Sequence, residues 1–308
     1  MRMAVIGVGH LGRHHARILA GLPDVQLTGV VDINARRAEE TASQYGATAH
    51  TDWRAVIGSV DAVTIAAPTE AHADIAAACL EQRVHVLVEK PMTSTTAEAD
   101  RLLLLAEAQQ VVLAVGHTER FNPAVVFVKP LLPAPRFIEV HRLGTFPERS
   151  LDIDVVFDLM IHDLDLVLDI VGGEVAAIEA VGVPVLTPRV DIANVRLRFD
   201  NGCIANLTAS RISRDRVRKI RFFQKDAYVS VDYAAQEVEI YRLVARAGQM
   251  PAIEGGKLEI AREEPLKREL EDFVEAIRDR RLPLVTGIQG RAALALAERV
   301  VERMEMTT

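Results

Sequence analysis

Residues Gly7-Val8-Gly9-His10-Leu11-Gly12 close a short apolar run over 3–8 and open a helical pattern over 11–22. No other feature restricts the fold of this chain as strongly. G-x-G-x-x-G in that setting is a turn from strand to helix: Gly7 permits the tight turn, Gly9 lets a pyrophosphate approach the backbone, and Gly12 lets the helix pack on the strand. His10 and Leu11 stand at the helix N-terminus, whose unpaired N–H groups and positive dipole end attract phosphate. A second strand pattern, 25–31, runs into Asp32, 20 residues past Gly12. An acid there accepts hydrogen bonds from ribose hydroxyls and repels a 2′-phosphate. That favours NAD over NADP, with Arg36 and Arg37 close enough to soften the repulsion.

The alternation continues with strands over 61–66, 84–88 and 111–115 and helices over 35–45, 71–82 and 94–109. Near-continuous apolar strands separated by helices predict a parallel sheet covered on both faces, with right-handed crossovers. Past residue 118 the pattern changes. Strands over 137–143, 175–185, 194–199, 203–210, 218–223, 228–232 and 237–242 follow one another, with Asp200-Asn201-Gly202 as a hairpin signal. One long helix, 155–170, interrupts them. Helices over 265–280 and 289–304 close the chain, and 246–264, with Gly248, Pro251, Gly255 and Gly256, reads as a surface loop. Strands in succession predict an antiparallel sheet. The expected architecture is α/β plus α+β: a Rossmann dinucleotide-binding domain over 1–118, then an α/β domain with a large, mostly antiparallel sheet over 119–308.

Composition narrows the function classes. Asp and Glu outnumber Lys and Arg by 43 to 36, giving a net charge of −7 and no global field to attract nucleic acid or anionic lipid. The N-terminal apolar run is cut at once by glycines, and the most apolar later stretch, 102–115, is broken by Glu107, Gln109 and Gln110. The expectation is a soluble, cytoplasmic protein. Its cysteines, Cys79 and Cys203, fit no metal spacing and suit a reducing compartment.

Four further stretches complete an ordered set: Ala66-Ala67-Pro68-Thr69-Glu70-Ala71-His72, Glu89-Lys90-Pro91, Gly116-His117-Thr118-Glu119-Arg120-Phe121-Asn122-Pro123, and Asp158-Leu159-Met160-Ile161-His162-Asp163-Leu164-Asp165. Together with the glycine turn, they resemble the Gfo/Idh/MocA oxidoreductases over essentially the whole chain. The resemblance implies a Rossmann domain followed by an α/β domain with an open sheet, and a homodimer or homotetramer. It places Lys90 by the nicotinamide ribose and the reacting hydroxyl, with Pro91 following through a cis bond. It makes Asp158 and His162 active-site residues and His162 the general acid/base. Ala67, Pro68, Thr69, His72, Glu89 and Asn122 join the cofactor-binding set on the same grounds, and no metal is implied. The stretches around His117 and His162 look like members acting on UDP-linked amino sugars, which implies oxidation of a ring carbon, C3 among the candidates. Many members carry a glycine-rich stretch ahead of the histidine, where this chain has Asp154-Val155-Val156-Phe157.

The chemistry is coherent without the name. Oxidising a secondary alcohol moves a hydride to nicotinamide and takes a proton from the hydroxyl. Histidine titrates near neutrality, a carboxylate four residues away on a helix can orient it, and a lysine can donate to developing alkoxide charge. Whether His162 or Lys90 takes the proton stays open. Asp158, His162 and Asp165 also share one face, so a solvated helix face and a metal site are competing readings. Thr69 has a second reading as a helix cap, and Arg120 and Asn122 as a junction salt bridge. Arg211, Arg214, Arg216, Arg218, Lys219 and Arg221 form a basic cluster with two readings: a solvated sheet edge or subunit contact, or recognition of an anionic group such as a nucleotide diphosphate. Three classes follow: a sugar or nucleotide-sugar dehydrogenase, an NAD-using glycosidase that returns its hydride, and a non-enzymatic NAD sensor. The proton-handling residues favour an enzyme.

Overall fold

The computed structural model describes residues 1–146, 153–245 and 250–305. Their contacts divide the chain into two units, Met1–Thr118 with Pro265–Leu294 and Glu119–Glu264 with Ala295–Thr308. The contiguous division expected at 118/119 therefore differs from the observed one, because the chain returns to the first unit near its end.

In the first unit, strands β1 (Arg2–Ile6), β2 (Gln26–Val31), β3 (Thr48–His50), β4 (Ala62–Ile65), β5 (His85–Glu89) and β6 (Leu113–Gly116) pair in the order β3-β2-β1-β4-β5-β6, every pair parallel. The order reverses direction between β1 and β4, the crevice where open α/β sheets bind ligands. The connections carry α1 (Gly12–Gly21), α2 (Ala35–Tyr45), α3 (Arg54–Ile57), α4 (Thr69–Glu81) and α5 (Thr96–Gln109). The short β3 and α3 were not legible in the sequence pattern. Helix α5 starts at a capping box: Thr95 accepts from the Glu98 N–H while the Glu98 carboxylate accepts from the Thr95 N–H.

Local chemistry forms the second unit too. Asn122 caps α6 (Pro123–Val128) by accepting from the Ala124 N–H at 3.1 Å. Its sheet orders β14-β13-β12-β11-β7-β10-β9-β8, built from β7 (Phe137–Leu143), β8 (Val175–Val183), β9 (Ile192–Phe199), β10 (Ile204–Ser210), β11 (Val217–Gln224), β12 (Ala227–Asp232), β13 (Glu237–Val244) and β14 (Ala252–Leu258). In this sheet, among the described residues, only β7 and β10 pair in parallel. Burial alternates along β7, β9 and β10, so one face packs a core of Ile138, Val140, Val195, Leu197, Leu207 and Phe222 and the other stays open.

Two expectations change. The stretch 246–264 contains β14, an edge strand with little apolar signal; a Cβ at Gly255 would fall 1.8 Å from the Ile240 carbonyl oxygen, so glycine is what lets this strand pair. Residues 246–249 of that stretch, Gly248 among them, lie outside the described residues. The helix expected over 155–170 begins as a π-helical turn, Val156–Met160, closed by the Ile161 N–H on the Val156 carbonyl, and continues as α7 (Ile161–Val171) to left-handed Gly172.

The last helices, α8 (Pro265–Arg278) and α9 (Gly287–Glu305), explain the return to the first unit. Leu270, Phe273 and Val274 of α8 join the core of Met3, Val5, Ala16, Leu19 and Leu87. Gly287 and Gly290 of α9 lie where a Cβ would press on Leu113 and Val115, and Arg291 binds Asp100 at 2.9 Å. No helix among the described residues is long and apolar enough to cross a membrane.

Candidate functional site

The glycine turn has the geometry its sequence predicts. Gly7 sits at φ +87°, where a side chain is strained, and its Cβ would stand 2.7 Å from the Ala66 and Ala67 backbone. A Cβ on Gly12 would meet the Gly7 carbonyl oxygen at 1.7 Å. Gly9 differs: its Cβ would find only the Arg37 guanidinium, at 3.5 Å. The protein itself does not demand glycine there, so the space above Gly9 is room for a ligand. Helix α1 begins at Leu11 without a side-chain cap, and His10 and Leu11 are exposed beside it.

Asp32 is tied to this turn. Its carboxylate accepts the Val8 N–H at 3.0 Å and the Asn34 N–H at 2.9 Å, and the Arg37 guanidinium lies 3.6 Å away. Arg36 is occupied elsewhere, in a surface pair with Glu40. Both carboxylate oxygens are held at the end of β2 with acceptor capacity to spare. Room over Gly9, open amides at α1 and a fixed acid at β2 fit a dinucleotide with a free ribose diol. The chemistry that group supplies when bound is acceptance of a hydride.

The next strand ends complete the first unit's share. Ala66 follows β4, and Pro68 precedes α4 as its N-terminal boundary; Thr69 makes no capping hydrogen bond, so the cap reading fails. His72 is buried with Nδ1 2.9 Å from the Pro91 carbonyl and Nε2 2.8 Å from the Ala67 carbonyl. Burial lowers its pKa against these contacts, and a neutral ring donates to one carbonyl at a time. His72 therefore fastens the Ala67 and Pro91 loops together, with both ring nitrogens turned to protein carbonyls.

Lys90 follows β5, half-buried, through a cis bond to Pro91. Glu89 turns inward. It accepts from His15 Nε2 at 3.1 Å and from the Lys90 N–H at 3.2 Å, and a Cβ on Gly116 would lie 3.0 Å from its carboxyl carbon. Gly116 is glycine because this carboxylate occupies its side-chain space. Burial works to raise the Glu89 pKa, but the His15 hydrogen bond and the His15 and Lys90 charges hold it below the usual range. The Glu89 carboxylate, expected on the cofactor, thus has hydrogen bonds within the protein, one of them to the Lys90 backbone. On α8, Glu269 is buried too; burial first, and the Glu89 charge second, raise its pKa well above the carboxyl range. The sequence signal for it was a lone acid inside the apolar stripe Leu266, Leu270, Phe273, Val274.

The second unit holds the other expected group. Asp158 lies in the π-helical turn and His162 in the first turn of α7, both half-buried. Four residues fall short of a turn of π-helix, so the ideal α-helical spacing assumed from sequence does not apply across this step. The acids that follow are spent on anchoring. Asp163 takes a bidentate pair from Arg142 of β7 at 2.7 and 2.9 Å, with Glu119 at 3.1 Å from the same guanidinium. Burial pushes the Asp163 pKa up against the opposing Arg142 charge, while Asp163 and Glu119 raise Arg142 despite its burial. The pair is ionic. Asp165 takes Arg120 at 2.6 and 2.9 Å, and Asp169 takes Arg120 and Lys129. Arg120 and Asp165 are thus engaged with each other, and the Asp165 carboxylate is held by Arg120 while Asp158 and His162 precede it. Asn122, expected on the cofactor, donates to Glu119 and the Tyr233 carbonyl besides capping α6, so both its N–H groups are engaged within the protein.

The basic cluster disperses. Arg211 is buried on Asp191 at 2.8 Å, Lys219 faces Asp232 at 3.6 Å, and Arg221 binds Glu139 at 2.6 Å on the open face. Arg214, Arg216 and Arg218 remain exposed.

Comparison with known proteins agrees with this geometry. Residues 1–117 match the oxidoreductase family described as an NAD-binding Rossmann fold, and residues 137–229 match the GFO/IDH/MocA C-terminal domain. UDP-N-acetylglucosamine 3-dehydrogenase of Acidithiobacillus ferrooxidans is 43% identical over 97% of this chain and 96% of its own length. A solved structure of that enzyme superposes with a TM-score of 0.93 at 41% identity, covering 99% of this chain and 98% of that one. Myo-inositol 2-dehydrogenase of Thermotoga maritima is 26% identical over 99% of this chain and 96% of its own. With its NAD-binding Rossmann domain and its open-sheet partner domain, this chain belongs to the Gfo/Idh/MocA family of oxidoreductases.

Proposed function

We propose that this NAD-dependent oxidoreductase oxidises the C3 hydroxyl of a UDP-linked amino sugar. The observation that carries the reading is the likeness, along nearly the whole chain, to a dehydrogenase of UDP-N-acetylglucosamine. His162 takes the hydroxyl proton, Asp158 orients its ring, and the Lys90 ammonium donates to the same oxygen as alkoxide charge develops. The fixed helix supports this role for His162: Arg142 and Arg120 strap the carboxylates that follow it, so the imidazole rides on a rigid element. The packing of Glu89 supports the role for Lys90, since the Lys90 N–H is anchored on a buried carboxylate. Asp32 favours NAD over NADP because a 2′-phosphate would meet its charge at the end of β2.

The protein works as a homodimer or homotetramer through the open sheet face. Phe137, Phe223, Tyr228 and Tyr241 line that face in ring contacts of 5.4, 5.2 and 6.2 Å, and Ile253 beside them is 75% exposed. A continuous aromatic strip is costly to leave in water. The compartment is the cytoplasm, where the buried thiols of Cys79 and Cys203 stay reduced.

The test is absorbance at 340 nm with NAD and a panel of UDP-sugars, free sugars and inositols, repeated with His162→Ala. NADH from UDP-N-acetylglucosamine, lost in the variant while NAD binding persists, supports the reading. NADH from a free polyol alone removes the nucleotide-sugar assignment. No NADH in protein that binds NAD points to the redox-neutral glycosidase or the sensor.

A further inference from the structure

Sheet register puts Arg218 of β11 directly across from Arg142 of β7. Both project on the sheet's core side, with Ile138, Val140 and Phe222, the side on which α7 is pinned by Arg142 and Asp163. Like charges directly opposite on neighbouring strands are destabilising. The Arg142 charge is compensated: Asp163 and Glu119 both bind it. No carboxylate among the described residues forms an ion pair with Arg218, and the acids whose charge reaches it, Glu119 and Asp163, are both bound to Arg142. Arg216 adds a further positive charge close by. The surroundings oppose the cation: packed atoms and then the Arg142 charge lower the Arg218 pKa. Yet Arg218 is exposed to solvent, on the strand next to the one whose Arg142 holds Asp163 of α7, the helix that carries His162.

A cation placed against its neighbours, with its fork free to the solvent side, is set to receive an anion from outside. We propose that Arg218 binds the diphosphate of the nucleotide-sugar substrate. The assignment rests on the UDP-sugar reading above and names the residue that would select for it. Guanidinium matches a phosphate bidentately, and a diphosphate would relieve the repulsion that Arg142 and Arg216 impose. Of the basic cluster, Arg211, Lys219 and Arg221 have partners that exclude them from this task.

The experiment compares the full-length wild type with Arg218→Ala and Arg218→Lys, each loaded with NAD. Calorimetric titration uses UDP and, as the phosphate-free control, uridine; turnover uses UDP-N-acetylglucosamine. Arg218→Ala should weaken UDP binding and raise KM about 10- to 100-fold, the loss falling on KM more than on kcat. Uridine binding should hold, and Arg218→Lys, which keeps charge but not the fork, should fall between. Its near-native size carries the test if the alanine variant does not fold. The alanine variant should also melt no lower than wild type, since a repulsion is removed. UDP affinity unchanged in both variants overturns the assignment of Arg218 while leaving the substrate reading intact. A wild type that oxidises only unphosphorylated sugars and does not bind UDP overturns the substrate reading itself.

Discussion

Replacing Glu269 by glutamine should remove a penalty that grows with pH. Glu269 is 2% exposed on α8 and held protonated by burial and by the nearby Glu89 charge. In the unfolded chain its proton leaves near pH 4.5. Above that pH, until the raised folded value is reached, the folded state binds more protons than the unfolded one. Stability therefore falls as pH rises, by about 1.4 kcal/mol per unit once the difference approaches a full proton. Across two pH units inside that window the slope amounts to about 2–3 kcal/mol. For a body of 150–250 residues that is a melting-point loss of about 5–10 °C. Glu89 has the opposite sign: its lowered pKa stabilises above its unfolded value, and that contribution is lost as pH falls through the folded one. Because Glu89 is present in both proteins, the informative quantity is the gap between wild type and Glu269→Gln. The assay is thermal melting followed by circular dichroism from pH 4 to pH 8. The gap should be smallest at pH 4 and widen in favour of the variant as pH rises. A gap independent of pH, or one that widens the other way, refutes a protonated Glu269 beside an ionised Glu89.

Other outcomes follow from the same geometry. Gly9→Ala should fold normally and lose NAD affinity, whereas Gly12→Ala, whose Cβ would fall 1.7 Å from the Gly7 oxygen, should lose stability as well; melting curves and NAD titration separate them. Arg142→Met should cost about 3–5 kcal/mol in denaturant titration, because it strands the buried Asp163 charge. His162→Ala should lower kcat about 10²- to 10⁴-fold in steady-state assays while NAD titration stays as in wild type. Asp32→Ala should narrow the preference for NAD over NADP, read as the ratio of the two kcat/KM values.

Much of this was legible in the sequence because the deciding signals are local. The glycine turn reports its own backbone needs, and the alternation of strand and helix fixes a parallel sheet before any contact is known. Even the change to successive strands at 137 marks the second sheet. What stayed hidden depends on contacts remote in sequence. Asn122 and Arg120 follow a Rossmann strand as a cofactor clamp would, yet Tyr233 and Asp165 consume them. Glu89 and His72 stand in motifs that resemble a cofactor site, but His15, Pro91 and Ala67 turn their polar atoms into the protein. The pattern of α8 predicts a helix, while nothing in it says which sheet it covers. The six basic residues are neighbours in the sequence, but strand alternation sends those on β11 to different faces. Register separates Arg218 on the core side from Lys219 and Arg221 on the open one.

The central claim is a hydride leaving C3 of a UDP-linked amino sugar for NAD. UDP-N-acetylglucosamine carrying deuterium at C3, incubated with the protein and NAD, tests it in one step by mass spectrometry of the reduced cofactor. The account predicts NADH one mass unit heavier and a sugar product that has lost the label. Unlabelled NADH would mean another carbon is oxidised. Label retained in the sugar with no net NADH would contradict the dehydrogenase itself.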